Sequence, residues 1–405
     1  MGQLFSLPAE RSETLSKTRA SFEAVRSDTV YLYGTGISGR TRTTPELLDR
    51  VKDFSVADVC ASVDFVLLLT SEGKVMAYGR NDKNQLGIEG VEVVVEPVEV
   101  PIPTKIAQLA CGLFHTAVIG DDGSVWTWGC NTKGQCGVGK ISAFTLPCRI
   151  DIGNRRAKFV ACGLDYTLIL TESGEIIAFG DNQYLQCGLP AANSSYPKPT
   201  LLPVTLDKNE VITHVSCGTS TSFFTTSCGR VFGFGSNSYK QLPGVEGNVS
   251  KPVVLSVFEK LRVASVSVGW YCAAVLLDCG GIRSWHWKKN EGVKGENKAE
   301  NEPCSPTSSP SPSEAELLTP QTVVGEDSVH QHSAVQVRAM AESFVIITDE
   351  NAVYEVSRVK PVDVVPIQVP SSQKVLRVRT GPLSCFLMTR LILDCELPPT
   401  GCFRS

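Results

Sequence analysis

Two glycine-rich stretches have spacings that hold phosphate groups in other proteins. Residues 34–39 read G-T-G-I-S-G, the pattern of a dinucleotide-binding loop, but such a loop must open a helix, and Pro45 follows it here. Residues 134–140 approach a P-loop, but Ile141 stands where Ser or Thr would have to hold magnesium. The same glycines recur at equivalent places of an internal repeat, so we expect no nucleotide cofactor.

The chain contains 15 cysteines and five histidines, which could supply metal ligands or a nucleophile. No two cysteines have C-x-x-C spacing, so no zinc site is predicted. Cys111, Cys162 and Cys217 each precede a glycine at equivalent repeat positions, where a small buried side chain accounts for them. His115 would need a partner nucleophile or carboxylate for catalysis, and the sequence indicates none. An inner-strand residue that is bonded to backbone accounts for it. We therefore predict no enzymatic active site, no metal and no cofactor.

Four stretches of the chain repeat one pattern that ends in a fixed glycine. Each copy contains an apolar run, a turn with glycine, and an alternating strand, and none has a helical period. The closing glycines are Gly79, Gly129, Gly180 and Gly235, so the intervals are 50, 51 and 55 residues. Strand-forming units with this period predict a β-propeller.

Each closing glycine is followed by the pattern Asn-x-x-x-Gln. The pairs are Asn81 and Gln85, Asn131 and Gln135, Asn182 and Gln186, and Asn237 and Gln241. Amides buried at a repeating position must be hydrogen-bonded. We therefore expect these side chains to bind backbone groups that link the strands.

Three motifs carry a resemblance to a known family. They are A-C-G-x-x-H-T at 110–116, D-G-x-V-x-x-W-G at 122–129 and N-x-x-G-Q-C-G at 131–137. These motifs resemble the repeat of the regulator of chromosome condensation family. The resemblance implies an all-β fold, a seven-bladed β-propeller with four-stranded blades.

The remaining copies are weaker, and the seventh is incomplete. A fifth copy lies at 266–287, a sixth at 335–357, and a seventh begins at 375–389 without its outer half. An orphan closing strand lies at 30–39, near the other end of the chain. We therefore expect the N- and C-terminal segments to close one blade together, which removes exposed sheet edges.

This count predicts how the chain is organised. A flexible N-terminal segment occupies 1–29, the propeller 30–390 and an irregular tail 391–405. A polar insertion at 288–322, placed between the fifth and sixth blades, has too little apolar content to order itself. It contains four Ser-Pro or Thr-Pro sites for proline-directed phosphorylation. These sites are Ser305, Ser309, Ser311 and Thr319.

The N-terminus suggests contact with membranes. Gly2 and Ser6 match the myristoylation pattern, although one acyl chain alone gives only marginal membrane binding. No apolar stretch of membrane-spanning length and no signal peptide is visible in the sequence. We expect a cytoplasmic protein that is peripheral on membranes if Gly2 is acylated.

The resemblance also implies a partner and a binding face. The family's best-known propeller is an exchange factor for the Ran GTPase, and exchange needs a face that binds the GTPase while disfavouring bound nucleotide. Acidic residues in the loop before the repeat histidine contribute to that face in the family. The corresponding loops here predict a partner-binding site at Asp64, Phe114, His115 and Asp165.

Two functions remain open at this point. The first is a regulator of a small GTPase, Rab-like in class, in membrane traffic. The second is a protein-interaction scaffold without exchange activity, because only two of ten loop positions are acidic. Ran exchange on chromatin and nucleic-acid binding are disfavoured by a net charge of −4 and the lack of a basic N-terminal tail.

Overall fold

The structure is a computed structural model of the 405-residue chain. The residues that it describes are 29–35, 41–287, 321–324, 333–341, 343–357, 364–370, 373–382 and 384–391. Strands and loops make up these residues, apart from two 3₁₀ turns at Asp49–Val51 and Ser256–Phe258. Within them, no helix is long and apolar enough to cross a membrane.

The described residues contain 28 strands. The first fourteen are β1 (Thr29–Thr35), β2 (Thr41–Leu47), β3 (Val56–Ala61), β4 (Phe65–Thr70), β5 (Val75–Arg80), β6 (Val93–Glu99), β7 (Ile106–Cys111), β8 (His115–Gly120), β9 (Val125–Cys130), β10 (Phe144–Arg149), β11 (Ala157–Cys162), β12 (Tyr166–Thr171), β13 (Ile176–Asp181) and β14 (Ser195–Leu202). The others are β15 (Ile212–Cys217), β16 (Thr221–Thr226), β17 (Val231–Gly235), β18 (Val249–Val254), β19 (Val263–Val268), β20 (Cys272–Leu277), β21 (Ile282–His286), β22 (Gln321–Val324), β23 (Ala334–Ala339), β24 (Ser343–Thr348), β25 (Val353–Ser357), β26 (Val364–Pro366), β27 (Gln373–Thr380) and β28 (Ser384–Leu391).

These strands form seven antiparallel sheets of four strands, and each sheet is one blade of a ring. Blades one to six take four consecutive strands each, beginning with β3, β7, β11, β15, β19 and β23. The inner strand of each blade contacts the inner strand of the next, and β27 of blade seven returns to β3. The predicted all-β, seven-bladed β-propeller is therefore confirmed.

Blade seven joins the two ends of the chain. Its strand order is β2-β1-β28-β27, so the C-terminal part supplies the two inner strands and the N-terminal part the two outer ones. The pairing of β1 with β28 is continuous from Thr29 opposite Thr389 to Gly34 opposite Ser384. The predicted closure of one blade by both ends is confirmed.

The insertion lies elsewhere than the sequence suggested. Strand β22 is the outer strand of blade five, where Ile282 pairs with Val324 and Ser284 with Gln321. The connection from 288 to 320 therefore lies inside blade five, and not between blades five and six. Residues 321 and 322, which we assigned to the insertion, belong to β22.

Burial explains why the strands differ in sequence. The second strand of a blade has neighbouring blades on both faces and a strand on each edge, and every residue of β4, β8, β12 and β16 is buried. Such strands are rich in apolar residues, as in β4 and β12, whereas the outer strands, such as β6, are mostly exposed. The alternating strand predicted from the sequence is the third strand of each blade, such as β5 and β13, and it is also almost fully buried.

The repeated Asn and Gln side chains organise the loops, and the backbone carbonyls of the Gln residues join neighbouring blades. In blade two, Oδ1 of Asn131 accepts the N–H of Cys136 (3.1 Å), and its Nδ2 donates to the carbonyl of Lys140 (2.8 Å). The backbone carbonyl of Gln135 accepts the hydroxyl of Thr167 in blade three (3.0 Å). Equivalent bonds recur in the other clear copies, so the expected backbone binding by these amides is confirmed.

Candidate partner-binding face

The loops between the first and second strands of all blades lie on one face of the ring, since equivalent loops of a ring share a side. We call this face the rim. In blades one to five it consists of residues 62–64, 112–114, 163–165, 218–220 and 269–271.

Hydrogen bonds between neighbouring loops hold the rim together. The hydroxyl of Ser62 in blade one donates to the carbonyl of Leu113 in blade two (2.9 Å). The N–H of Leu113 then donates to the carbonyl of Leu164 in blade three (3.1 Å). A similar pair of backbone bonds joins blades five, six and seven. Because the loops are fixed to one another, the rim is a preformed surface.

Asp64 lies half-buried on the rim, in the wall of a cavity of about 640 Å³ between blades seven and one. Burial raises the pKa of its carboxyl group, and the charge of Asp82 adds to this, although Arg80 opposes both. Among the described residues, Oδ1 of Asp64 has no hydrogen-bond partner. This oxygen is itself buried, so a bound molecule would contact the exposed part of the Asp64 side chain in the cavity wall.

Asp165 forms an acidic pair with a residue that the sequence did not reveal. Its Oδ1 accepts Nε2 of Gln135 (3.0 Å), and Asp181 lies close enough to raise its pKa further, after burial. Nζ of Lys133 lies 4.0 Å from Oδ1 of Asp181. The charge of this one lysine lowers the pKa of both carboxyl groups, Asp165 and Asp181. Asp181 directly follows the closing glycine of its repeat, at the place that Arg80 occupies in blade one, and this register is the signal that could have identified it.

Phe114 is half-buried at the edge of the rim in blade two. Its backbone carbonyl accepts the N–H of Cys130 (2.8 Å). This bond fixes the backbone that carries the phenyl ring of Phe114. Together with Leu113 it makes the rim of blade two apolar, unlike the acidic loops of blades one and three. Its role as an apolar anchor remains a prediction.

His115 is not on the rim, which corrects the predicted site. It is the first residue of β8 and is fully buried between blades two and three. Its Nε2 lies 3.0 Å from Oγ1 of Thr167, whose hydroxyl already donates to the backbone, so Nε2 is the donor. Burial lowers the pKa of His115 to about 3, and the ring is neutral at neutral pH.

A steric constraint explains why the C-G-x-x-H motif contains a glycine. A Cβ on Gly112 would lie 2.1 Å from the ring of His115, and one on Gly163 would lie 1.9 Å from the ring of Tyr166. Each ring therefore packs over the glycine three residues before it. The spacing of the motif thus follows from how each ring packs over the glycine of its own loop.

Aromatic residues extend the rim into blade five. Trp270 and Tyr271 occupy the loop positions of Phe114 and its neighbour, and both are half-buried. The carbonyl of Trp270 accepts Nε1 of Trp287 (3.0 Å). The predicted site did not include these two side chains, although their repeat register marks them.

The other predicted sites cannot be placed. Gly2, Ser305, Ser309, Ser311 and Thr319 lie outside the described residues. Within the described part of the chain, no group of three or more His, Cys, Asp or Glu residues is arranged to hold a metal ion.

The fold and the rim together define a propeller of the regulator of chromosome condensation type. The profile of the RCC1-like domain family matches residues 29–356, and the chain belongs to that family. The resemblance predicted from the repeats is thereby confirmed.

Two relatives show how far the similarity extends. The chain is 26% identical over 297 residues to the ultraviolet-B receptor UVR8 of Arabidopsis thaliana, covering 70% of this chain and 65% of UVR8. It is 28% identical over 176 residues to Protein RCC2 of Homo sapiens, covering 44% of this chain and 24% of RCC2. The chain thus spans less than two thirds of either relative.

Solved structures share the fold at low sequence identity. Human WBSCR16 superposes with a TM-score of 0.72 at 21% identity, over 91% of this chain and all of that one. Prp20p of Saccharomyces cerevisiae gives a TM-score of 0.73 at 16% identity, over 97% of both chains. The Prp20p structure was described together with the binding properties of Prp20p to Gsp1p and histones.

Proposed function

We propose that this propeller regulates a small GTPase of the Rab-like class in membrane traffic, and that it binds the GTPase through the rim. Family membership supports a small GTPase as the partner, since the family's best-known propeller is an exchange factor for Ran. Prp20p, which has the same fold, was studied for its binding to Gsp1p and histones.

The position of Asp64, half-buried in the cavity wall on the rim, is the observation that carries the proposal. A Lys or Arg side chain from a partner would pair with the exposed part of this carboxylate through a charge-assisted hydrogen bond. The Asp165–Asp181 pair offers a second acidic contact on the same face. Phe114 and Leu113 lie between these two contacts and would supply the apolar centre of the interface.

The rim contributes binding energy and no chemical step. A propeller that binds the nucleotide-free GTPase more tightly than the nucleotide-bound form must, by linkage, weaken nucleotide binding by the same factor. No nucleophile, base or metal of the propeller is needed for this coupling.

The test is capture of purified Rab-type GTPases in magnesium-free, nucleotide-free buffer, together with the rate of fluorescent GDP release. The test variant combines Phe114→Ala with Asp165→Asn. We choose Asn because Ala would leave Nε2 of Gln135, which is buried, without its acceptor. Losing a central anchor commonly costs about 2 kcal/mol, so capture should fall at least about 30-fold.

A matched control lies on the opposite face of the ring. Val211→Ala with Glu172→Gln also removes one exposed apolar and one acidic group, because Val211 is 53% exposed and the Glu172 side chain 54% exposed. This control should bind like the wild type. Full binding by a well-folded rim variant would place the interface elsewhere, whereas capture without faster GDP release would favour the scaffold function.

Membrane recruitment is a separate part of the proposal. Myristate on Gly2 would give partial, reversible binding, so the wild type should divide between the membrane and cytoplasmic fractions. Gly2→Ala should move the protein to the cytoplasmic fraction. An unmodified N-terminus in a mass spectrum would contradict this part and leave the rim proposal intact.

A further inference from the structure

The inner strands of the ring carry an unusual balance of charge. The chain as a whole has a net charge of −4. Its seven inner strands nevertheless hold five basic side chains and a single acidic one, Asp58. The basic ones are Lys158, Arg338, Lys374, Arg377 and Arg379. The centre of the ring is therefore positive within an acidic protein.

Three of the arginines gather around one carboxylate where blades six, seven and one meet. Arg379 contacts both oxygens of Asp58 (2.6 and 2.8 Å), and Arg377 lies 3.4 Å from Oδ2. Arg338 occupies, in blade six, the register position of Arg379 in blade seven. Three guanidinium groups and one carboxylate leave two positive charges without a counter-charge.

Arg338 is the guanidinium that lacks an ion pair within the described part of the chain. Its Nη1 donates only to the carbonyl of Val337 (3.2 Å). Burial and the repulsion of Arg379 and Arg377 lower the pKa of Arg338 to about 9, so it is still charged at neutral pH. Uncompensated charge inside a protein is costly and calls for a counter-ion.

An anion could reach this cluster through the central channel. A cavity of about 190 Å³ lies at the rim end of the channel and is lined by Ala339 and Thr380, which directly follow Arg338 and Arg379. The side chains of Arg377 and Arg379 are themselves 17% and 23% exposed. The cluster is thus accessible to a small ion.

We propose that the centre of the ring binds a phosphate-class dianion between Arg338, Arg377 and Arg379. Guanidinium groups bind phosphate through paired N–H donors, and a phosphate carries about −1.5 to −2 charges at pH 7, close to the two uncompensated charges. The ligand is free phosphate or the phosphate group of a small metabolite. The site differs from the rim in its residues and does not depend on the proposed GTPase.

Calorimetry and thermal unfolding of the full chain test the site, with inorganic phosphate and glycerol 3-phosphate as probes and sodium chloride of equal ionic strength as reference. Both probes should raise the melting temperature above the chloride reference if a phosphate group suffices. Stabilisation by inorganic phosphate alone would identify the free ion as the ligand. No stabilisation beyond chloride by either probe would overturn the proposal.

The informative variant is Arg338→Gln, because it leaves the Asp58–Arg379 pair whole. It should lose about tenfold or more in phosphate affinity, as expected for a lost charge-assisted hydrogen bond. Without phosphate it should melt higher than the wild type, since a repulsive charge is gone. If the role of Arg338 were purely structural, Arg338→Gln would have a lower melting temperature than the wild type and an unchanged affinity for phosphate.

Two further variants separate the effect of charge from that of the paired N–H donors. Lys374→Gln removes an exposed charge from the same inner strand as Arg377 and should bind phosphate like the wild type. Arg338→Lys keeps the charge but not the paired donors, so its affinity should lie between wild type and Arg338→Gln. Equal losses in Lys374→Gln and Arg338→Gln would show general electrostatic attraction and contradict a site.

Discussion

Arg379 in the last blade and Asp58 in the first form a two-pronged ion pair, with Nε–Oδ1 and Nη2–Oδ2 distances of 2.6 and 2.8 Å. The pair bridges the junction where blade seven, built from both chain ends, meets blade one. Burial alone would raise the pKa of Asp58, but the charge and hydrogen bonds of Arg379, with the charge of Arg377, outweigh burial and lower it. The carboxylate is therefore the counter-charge that this junction requires.

Asp58→Asn should destabilise the protein strongly. The substitution keeps the shape of the side chain but leaves the neighbouring guanidinium groups without their carboxylate, and breaking a buried pair costs about 3–5 kcal/mol. Denaturant unfolding measures the change. Glu175→Gln breaks the exposed Arg155–Glu175 pair, also at 2.8 Å, and should cost at most about 1 kcal/mol. Equal losses in the two variants would show that burial of the Asp58 pair has no energetic consequence.

His115 should make stability depend on pH. Its pKa is about 3 in the folded protein because of burial, and about 6.5 in the unfolded chain. Between pH 3 and pH 6.5, His115 is protonated in the unfolded state but not in the folded state. Its contribution to the free energy of unfolding is therefore fully present above pH 6.5 and is lost as the pH falls towards 3. The expected loss from this residue is about 1.4 kcal/mol per pH unit.

His115→Phe isolates that contribution, since Phe65 occupies the same position in blade one. The variant loses one hydrogen bond, worth about 1 kcal/mol, and Thr167 keeps its bond to the carbonyl of Gln135. Its unfolding free energy should therefore be lower at pH 7 but less dependent on pH between 6.5 and 4. Parallel pH profiles for the variant and the wild type would mean that His115 has the same pKa in the folded and unfolded states, which would contradict the prediction.

Deleting residues 1–36 should abolish cooperative folding. The deletion removes β1, whose Val30 and Leu32 are buried and whose backbone pairs with β28 on one side and β2 on the other. The inner strands of blade seven would then end in an open edge that favours aggregation. A deletion of residues 1–28 leaves β1 whole and is the control. Unchanged melting after the longer deletion would show that the ring does not need β1.

Local patterns predicted the blades, because each repeat encodes its own strands and turns. The four clear copies, the closing strand at 30–39 and the backbone-binding amides all followed from residue types at fixed spacing. The loop positions of Asp64 and Asp165 also followed, since equivalent positions in a ring share a face.

Contacts between distant residues could not be predicted in the same way. Asp58 and Arg379 are 321 positions apart, and no repeat pattern relates them. His115 was assigned to the rim because it lies in the same stretch of its repeat as Phe114, but β8 begins at His115, and every residue of β8 is buried. Strand β22 was missed because its four residues follow a polar insertion and carry no repeat motif.

Limited proteolysis should cut first within residues 288–320, since their composition is polar and rich in proline. The cut would separate β21 from β22, which are neighbours in one sheet, so hydrogen bonds between them would still join the two fragments. The pairing of β1 with β28 would join the same fragments a second time, because β1 belongs to the first and β28 to the second. A denaturing gel should therefore show two fragments, while size-exclusion chromatography shows one species of unchanged size. Separation of the fragments under native conditions would mean that the ring depends on an intact connection within blade five.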